Sequence, residues 1–256
     1  MTTRGRPWSR DERLVVLSFY LRTRFSSIDA RHPEVIAISK KLDRSPSSIA
    51  MRALNFASLD PTLRASGRTG LEGGAGKAER EMWNEMESDW TAFENANTEA
   101  AARLDVPRPA IPIDLPLPPD VPTEQSAVVK VRRLQSFFRS TVLAAYGDTC
   151  AISGLAVAEL LNASHIIPWS QDEKRRADPT NGVALNALYD RAFDRGLISF
   201  DERFRVLVSS SLKREGAPGF HRIALIEIEG RRAHPPSRFE PDPIALEYHR
   251  DTVFVK

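Results

Sequence analysis

A proline-dense stretch in the middle of the chain, PRPAIPIDLPLPPDVP at residues 107–122, constrains the fold more than any other feature of the sequence. Proline has no backbone N–H and a fixed φ angle. Seven prolines in sixteen residues therefore exclude a helix interior or a central strand and favour an extended, semi-rigid spacer. We predict three parts: a helical domain over residues 1–104, a proline-rich linker over 105–125 and a second domain over 126–256.

The composition is that of a soluble globular protein, with 256 residues of which 41% are hydrophobic and 27% charged. The single cysteine, Cys150, excludes a disulfide framework and a zinc knuckle built on paired cysteines. The first residues lack the apolar run of a signal peptide, and no window is long enough to span a membrane. We expect a cytoplasmic protein without membrane contacts. The net charge of +2 permits nucleic-acid binding but does not require it.

Three short helices are predicted at the N-terminus. Ser9 and Glu12 form a capping-box pattern before the first helix, Pro33 opens the second, and a polar turn leads into the third. Helix, short turn and helix is the layout of a helix-turn-helix DNA reader, in which the start of the last helix contacts DNA. The candidate DNA contacts there are Arg44, Ser47, Ser48 and Arg52. Three-helix units also act as scaffolds or protein-contact modules, so both interpretations stay open.

Two longer helices follow. Residues 78–104 predict one helix with an acidic face and an apolar stripe, and residues 126–146 predict a basic amphipathic helix that ends at Gly147. The basic helix and a charged loop beyond it offer cations to a polyanion. Such contacts hold the nucleic-acid backbone and carry little sequence information. The candidates are Arg132, Arg133, Arg139, Lys174, Arg175 and Arg176.

Beyond Gly147, short apolar runs alternate with polar breaks. CAISGL (150–155) and LLNASHII (160–167) predict a two-stranded hairpin, residues 183–196 predict a helix ended by a glycine, and residues 197–212 predict a strand, a turn and a strand. In the second apolar run, His165 stands among apolar neighbours, where a lone histidine is most often a core residue bonded to the backbone.

Strand, strand, loop and helix, with a histidine on a strand, an asparagine in the loop and an acid on the helix, resembles the ββα-metal layout of the HNH endonucleases. The resemblance runs over residues 132–201, with Ala-Ser-His-Ile at 163–166, Pro-x-Asn-Gly at 179–182 and Phe-Asp-x-Gly-Leu-Ile at 193–198, as in the restriction-type branch. The tail at 246–254 is similar to the end of that branch. The implied fold class is α+β: an N-terminal helical, helix-turn-helix-like domain and a C-terminal HNH nuclease domain.

The resemblance implies a role for each signature residue. His165 is the general base, because a neutral imidazole with a pKa near 6.5 accepts a proton from water at cellular pH. Asn181 ties the loop to the strand that carries the histidine and holds the imidazole in orientation. Asp190 is the leading ligand of a divalent metal, Mg²⁺ or Mn²⁺, which acts as a Lewis acid at the scissile phosphate. We expect the His165 ring and the Asp190 carboxylate to converge on one cation-sized gap. Asp194, one helical turn later, is either a second ligand or the partner of a neighbouring arginine.

One residue departs from the family pattern. Many members have His or Asp as a metal ligand directly before the catalytic histidine, and this chain has Ser164. A hydroxyl is a weak ligand, so Ser164 is a candidate ligand only together with Asp190, phosphate oxygens and water. The alternative left open by this departure is a domain that keeps the fold without the metal.

These features predict a metal-dependent endonuclease that hydrolyses double-stranded DNA, in a restriction or defence role taken from the resemblance. A homodimer is expected, because one catalytic centre per chain cuts one strand. The alternatives are a catalytically inactive DNA-binding or regulatory protein on an HNH scaffold, and a nuclease toxin.

Overall fold

A computed structural model describes residues 6–65, 67, 74–110 and 125–256. In these residues, helices surround two small antiparallel sheets. The helices are α1 (Arg10–Arg22), α2 (Pro33–Leu42), α3 (Pro46–Ala57), α4 (Pro61–Ala65), α5 (Lys77–Ser88), α6 (Trp90–Arg103), α7 (Gln125–Ala145), α8 (Ala187–Asp194), α9 (Gly219–His221) and α10 (Pro243–Tyr248). The strands are β1 (Leu161–His165), β2 (Gly182–Asn186), β3 (Ile198–Phe200) and β4 (Val206–Val208).

The three N-terminal helices form where the sequence places them, and local capping explains their starts. The Ser9 hydroxyl accepts from the Glu12 N–H at 3.1 Å, and the Glu12 carboxylate accepts from the Ser9 N–H at 2.8 Å. Pro33 opens α2, and the Ser45 hydroxyl caps α3 through the Ser48 N–H at 3.2 Å. The apolar sides of α1, α2 and α3 share one buried core.

The single helix expected over residues 78–104 is two helices. Asp89 interrupts it, because its carboxylate accepts from the Ala92 N–H at 2.8 Å and caps a new helix, α6, while its backbone is extended. The apolar stripe of residues 82–93 is continuous in sequence and does not reveal this break. Both helices still pack on the N-terminal bundle.

The hairpin expected between residues 150–155 and 160–167 does not form. Residues 150–155 close a tight turn on themselves, in which the Cys150 N–H donates to the Leu155 carbonyl at 2.9 Å and Gly154 has φ +73°. Strand β1 pairs instead with β2, antiparallel, with His165 opposite Gly182 and Leu161 opposite Asn186. Cys150 is buried without a disulfide partner among the described residues, as expected for a small apolar side chain.

The helix expected over residues 183–196 is shorter, because its first four residues belong to β2. The Asn186 side chain ends the strand and caps α8 by accepting from the Tyr189 N–H at 3.0 Å. After α8, Gly196 has φ +66°, and a Cβ there would lie 2.0 Å from the Val253 carbonyl oxygen. Strands β3 and β4 then form the expected strand, turn and strand.

Helix α7 joins the two regions on either side of the proline-rich stretch. Its Phe137 lies 6.5 Å from Trp90 and 6.1 Å from Phe93 between ring centroids, and α7 also packs on α1. Residues 111–124, most of the expected linker, lie outside the described residues. The described regions that flank them share one apolar core, so they are in direct contact.

The C-terminal tail closes over both regions. Arg238 is fully buried and donates to the carbonyls of Tyr20, Leu21 and Thr23 at 2.7–2.9 Å, where α1 ends. Farther along, His249 is buried against the ring of Phe193. Among the described residues, no helix combines the length and the apolar character that crossing a membrane requires.

Candidate active site

The β1–β2 ribbon lies between α7 on one face and α8 on the other. Neighbouring side chains of a strand point to opposite faces. Asn162 and Ser164 point to α8 and contact Asp190, whereas His165 points to α7 and stacks on Phe138. The last residues of β1 therefore supply functional groups to both faces of the ribbon.

The Asp190 carboxylate is held by two neighbours from β1. Its Oδ1 accepts from the Ser164 hydroxyl at 2.5 Å, and its Oδ2 accepts from the Asn162 amide at 2.7 Å. Asp190 lies in the first turn of α8, where the positive end of the helix dipole favours an anion. The structure thus brings together Asp190 and Ser164, two of the three residues that the sequence singles out as metal ligands.

Asp194, the third, follows one turn later on the same side of α8. Partial burial and the nearby Asp190 carboxylate raise its pKa to about 6, and Arg191 and Arg195 partly oppose that rise. No described residue gives the Asp194 side chain a hydrogen bond or an ion pair. The Asp190 carboxylate raises the proton affinity of the Asp194 carboxyl, and a cation between the two would be stabilised for the same reason.

The donor set fits a hard divalent cation. Among the described residues, no group of three His, Cys, Asp or Glu side chains converges on one point. Two carboxylates with a hydroxyl and an amide nearby suit Mg²⁺ or Mn²⁺, which bind through one or two carboxylates and keep water and phosphate oxygens as further ligands.

The His165 imidazole is fixed by contacts on three sides. Its ring stacks on Phe138 at 3.7 Å with an 11° interplanar angle, and the edge of Trp169 lies 5.6 Å away. Its Nε2 lies 3.1 Å from the Arg176 carbonyl oxygen, which only accepts, so Nε2 carries the proton and Nδ1 keeps a free lone pair. Burial lowers the pKa of His165 to about 4, and the ring is therefore neutral at cellular pH.

Asn181 lies in the position that its expected role needs. Its Oδ1 accepts from the Ile167 N–H at 2.8 Å and its Nδ2 donates to the Ile167 carbonyl at 3.1 Å. The side chain is buried, and its own carbonyl accepts from the Ile166 N–H at 2.9 Å. These bonds tie the end of the loop to the residues that directly follow His165.

The expected convergence of the His165 ring and the Asp190 carboxylate on one gap is not what the structure shows. The two side chains lie on opposite faces of the ribbon, and no contact between them occurs among the described residues. The reason is the strand alternation at positions 164 and 165, which the sequence interpretation did not apply. The two groups nevertheless flank the same end of β1, since Asp190 contacts the residue adjacent to His165.

The arginines proposed as DNA contacts of the N-terminal helices are used inside the protein. The Arg44 side chain is 5% exposed and pairs with the buried Glu12 carboxylate at 2.9 Å, and Arg52 pairs with Glu79. Both guanidinium groups flank the Trp8 ring, at 4.0 and 4.7 Å. Ser47 is exposed and Ser48 is half-buried at the start of α3. DNA contact by this surface stays a prediction, and it rests on the serines.

The basic residues predicted to contact DNA in residues 126–256 divide into two groups. Three hold the loops around β1: Arg139 donates to the Leu161 and Ala158 carbonyls, Arg175 pairs with Asp242 at 2.5 Å, and Arg176 donates to the Trp169 carbonyl at 3.0 Å. The other three form the second group. The side chains of exposed Lys174 and half-buried Arg133 have no hydrogen bond or ion pair among the described residues, whereas half-buried Arg132 does have an interaction.

Sequence reasoning missed several residues of the site. Asn162 holds Asp190, and Phe138 supports His165. Because side chains alternate along a strand, Asn162, two positions before Ser164, lies on the same face of β1. This alternation predicts its contact with Asp190 once β1 is paired with β2. Arg191 and Arg195 are exposed beside the two carboxylates, and neither side chain has a hydrogen bond or an ion pair among the described residues. The sequence interpretation considered them only as partners of Asp194.

Comparison with known proteins identifies the segment that carries this site. The family model of HNH endonucleases matches residues 150–201. The match covers about one fifth of the chain and includes β1, β2, α8 and the residues discussed above from Asn162 to Asp194. No curated protein matches the chain.

Proposed function

We propose that this protein hydrolyses phosphodiester bonds of double-stranded DNA with a divalent cation held at Asp190, because residues 150–201 match the family model of HNH endonucleases. The observation that carries this proposal is the Asp190 carboxylate, positioned by Ser164 and Asn162 within the matched segment. Asp190 and Asp194 would hold the cation, with Ser164 as a supporting group. When bound, Mg²⁺ or Mn²⁺ supplies Lewis-acid stabilisation of the charge that develops on the phosphate.

His165 supplies the base in this proposal. Its Nδ1 lone pair takes a proton from water, the water oxygen bonds to phosphorus, the P–O3′ bond breaks, and the leaving 3′ oxygen takes a proton from solvent. The Arg176 carbonyl fixes the tautomer that this step needs, and stacking on Phe138 fixes the ring plane. Asn181 keeps the strand end in place through the Ile167 backbone. The substrate strand crosses the end of β1. Its scissile phosphate then lies beside this strand end, with the His165 side of the ribbon on one hand and the Asp190 side on the other.

Exposed cations near this end give the DNA backbone its contacts. Lys174, Arg191 and Arg195 are exposed, and none of their side chains has a hydrogen bond or an ion pair among the described residues, so they can neutralise phosphates. The N-terminal arginines pair with carboxylates instead, which favours a scaffold role for α1 to α3. A homodimer would place two such centres on the two strands of one duplex.

The placement of His165 favours a second candidate function. A base on the opposite face from the Asp190 carboxylate, with its pKa lowered by burial, is also what a domain without catalytic activity would contain. Such a protein would bind DNA through its exposed cations and regulate rather than cut.

Nicking of supercoiled plasmid separates the two candidates. We expect nicking with Mg²⁺ or Mn²⁺ and none with EDTA. The variants His165→Ala and Asp190→Asn should each lose more than about 100-fold in rate, beyond the 10- to 100-fold typical of groups that only support a metal site. The exposed Glu202→Gln, outside the site, is the control. A chain that binds plasmid but never nicks it, with either metal, would establish the regulatory candidate.

The restriction or defence role has its own test. Unmodified and base-modified phage DNA would be digested under the conditions that support nicking, and the cut ends mapped. Cleavage that depends on the modification state of the DNA supports restriction. Cleavage that ignores modification, together with toxicity of the expressed chain in every host tested, supports the toxin alternative.

A further inference from the structure

A cavity of about 150 Å³ lies away from the β1 site, where the end of α1 and the residues after α6 meet one side of α7. It has the volume of roughly five water molecules. Its lining consists of three arginines, two serines, a proline and an aromatic ring: Arg22, Arg108, Arg133, Ser136, Ser140, Pro109 and Phe137.

The polar groups from α7 are all free donors. Arg133, Ser136 and Ser140 follow one another at helical spacing, which brings them to one side of the helix. In the described part of the chain, none of their side chains has a hydrogen bond or an ion pair, although all three are at least half-buried. A concave site that collects three unused donors is complementary to a group rich in acceptors.

The other two arginines are held in place by carboxylates behind them. Arg22 pairs with Glu34 at 2.6 Å and donates through Nε to the Ser18 hydroxyl at 3.3 Å. Arg108 pairs with the buried Glu94 carboxylate. These bonds use some of the five N–H groups of each guanidinium and leave the others available. Among the described residues, no carboxylate lines the cavity itself.

We propose that this cavity binds a phosphate group. Guanidinium forks match the geometry of phosphate oxygens better than an ammonium does, and hydroxyl donors complete the shell. The volume accepts one phosphate with its first ester atoms, so any sugar or base attached to it lies outside or against Pro109. The phosphate belongs either to a strand of nucleic acid or to a free nucleotide, and both present the same group.

The site does not depend on the nuclease reaction. The cavity is lined by Phe137, whereas the next residue, Phe138, points to the ribbon and stacks on His165. A phosphate bound between α1 and α7 would fix the helix that positions the imidazole, but binding itself needs neither the metal nor His165.

Titration calorimetry of the full chain tests the proposal, with inorganic phosphate as ligand, EDTA present and chloride at matched ionic strength. We expect saturable binding that Arg133→Gln weakens by about tenfold or more, the loss expected for a charged hydrogen-bond donor. Ser136→Ala should weaken it less, and it serves as a second variant if Arg133→Gln does not fold by circular dichroism. The exposed Arg203→Gln should bind like the unmodified chain.

Adenosine monophosphate and a short DNA duplex then separate the two sources. If the free nucleotide binds and Arg133→Gln removes it, the site takes a phosphate monoester; if only the duplex loses affinity, it takes the DNA backbone. Equal phosphate binding by wild type and Arg133→Gln would overturn the proposal. Because Asp190→Asn should keep the site intact, failure of nicking and failure of phosphate binding are distinguishable.

Discussion

At the scale of single residues, the raised pKa of Asp194 gives a direct test of metal binding. With a pKa of about 6, its carboxyl is mostly protonated at pH 5 and ionised at pH 7. If Asp194 holds the cation, the metal must displace that proton. We therefore expect Mn²⁺ affinity, measured by electron paramagnetic resonance without DNA, to fall by about tenfold from pH 7 to pH 5, the population change that such a pKa implies.

The variant Asp194→Asn should bind Mn²⁺ more weakly at pH 7 and lose most of this pH dependence. Glu202→Gln provides a carboxylate-removing control on an exposed loop. A wild-type affinity that does not change between pH 5 and 7 would exclude Asp194 as a ligand and leave Asp190 alone with its two β1 partners.

At the scale of elements, the contact of β2 with α7 determines where His165 sits. Gly182 lies opposite His165, and a Cβ there would come within 2.5 Å of the Val142 side chain and 2.8 Å of the Phe138 ring. Both are buried and cannot yield freely. We expect Gly182→Ala to cost about 1–3 kcal/mol in urea unfolding, as overpacking does, and to slow nicking by displacing the ring that supports the imidazole.

Combining Gly182→Ala with Val142→Ala should recover part of that loss. The control is Gly219→Ala, because a Cβ at Gly219 meets no heavy atom within 4 Å, and its stability should stay within about 0.5 kcal/mol of wild type. Equal stability of Gly182→Ala and wild type would mean that the ribbon and α7 are not packed as tightly as these distances indicate.

The sequence predicts individual elements better than their pairing. Ser9 and Ser45 start their helices through bonds to residues three positions away, and Pro33 starts its helix through its fixed φ angle, so a local pattern is sufficient. The order of the family motif puts Asn181 in the loop before β2, where its side chain bonds to Ile167, and its catalytic role stays a prediction. Pairing β1 with β2 brings together residues about twenty positions apart. The two apolar runs at 150–155 and 160–167 are closer in sequence, and they predict a hairpin that does not form.

That pairing error explains the error at the site. With β1 in an isolated hairpin, nothing fixed which face each side chain takes, and His165 and Asp190 were expected to meet. Once β1 lies between α7 and α8, the adjacent positions 164 and 165 must serve opposite faces. The ion pairs of Arg44 and Arg52 were equally invisible, because their partners Glu12 and Glu79 lie on other helices.

At the scale of the whole molecule, buried His249 makes stability depend on pH. Its Nε2 donates to the Phe193 carbonyl, its Nδ1 accepts from the Ser199 hydroxyl at 2.9 Å, and burial lowers its pKa to about 4. The unfolded chain therefore binds the additional proton. The stabilisation is complete above pH 6.5 and is lost as the pH falls toward 4, with a limit of about 3 kcal/mol.

Urea unfolding at pH 7, 6 and 5 measures this effect. The variant His249→Gln keeps a donor for the Phe193 carbonyl and does not titrate, so its stability should fall less steeply with acid than that of wild type. His234→Gln, at an exposed position, is the matched control. Parallel curves for wild type and His249→Gln would show that the ring is not buried in its neutral form.

Arg238 connects the tail to the start of the chain, and its loss should affect both regions together. Three carbonyls at the end of α1 share this one buried guanidinium, which also lies 4.8 Å from the Tyr20 ring. A cation there is favoured by the helix dipole. Removing it takes a donor from each of the three carbonyls, although that of Tyr20 keeps the Thr23 N–H at 3.4 Å. Arg238→Met should therefore cost about 3–5 kcal/mol, since each buried acceptor left without a donor costs about 1–3 kcal/mol.

Hydrogen exchange locates the effect. Because α7 packs on α1 and α6 while its Phe138 supports the ribbon, we expect peptides from α1 and from β1–β2 to lose protection together in Arg238→Met. Arg238→Lys should recover little, since an ammonium cannot reach three separate carbonyls in one fixed geometry. If exchange rises in α1 while the ribbon keeps its wild-type protection, the two regions unfold independently, and the shared core does not couple the N-terminal helices to the active site.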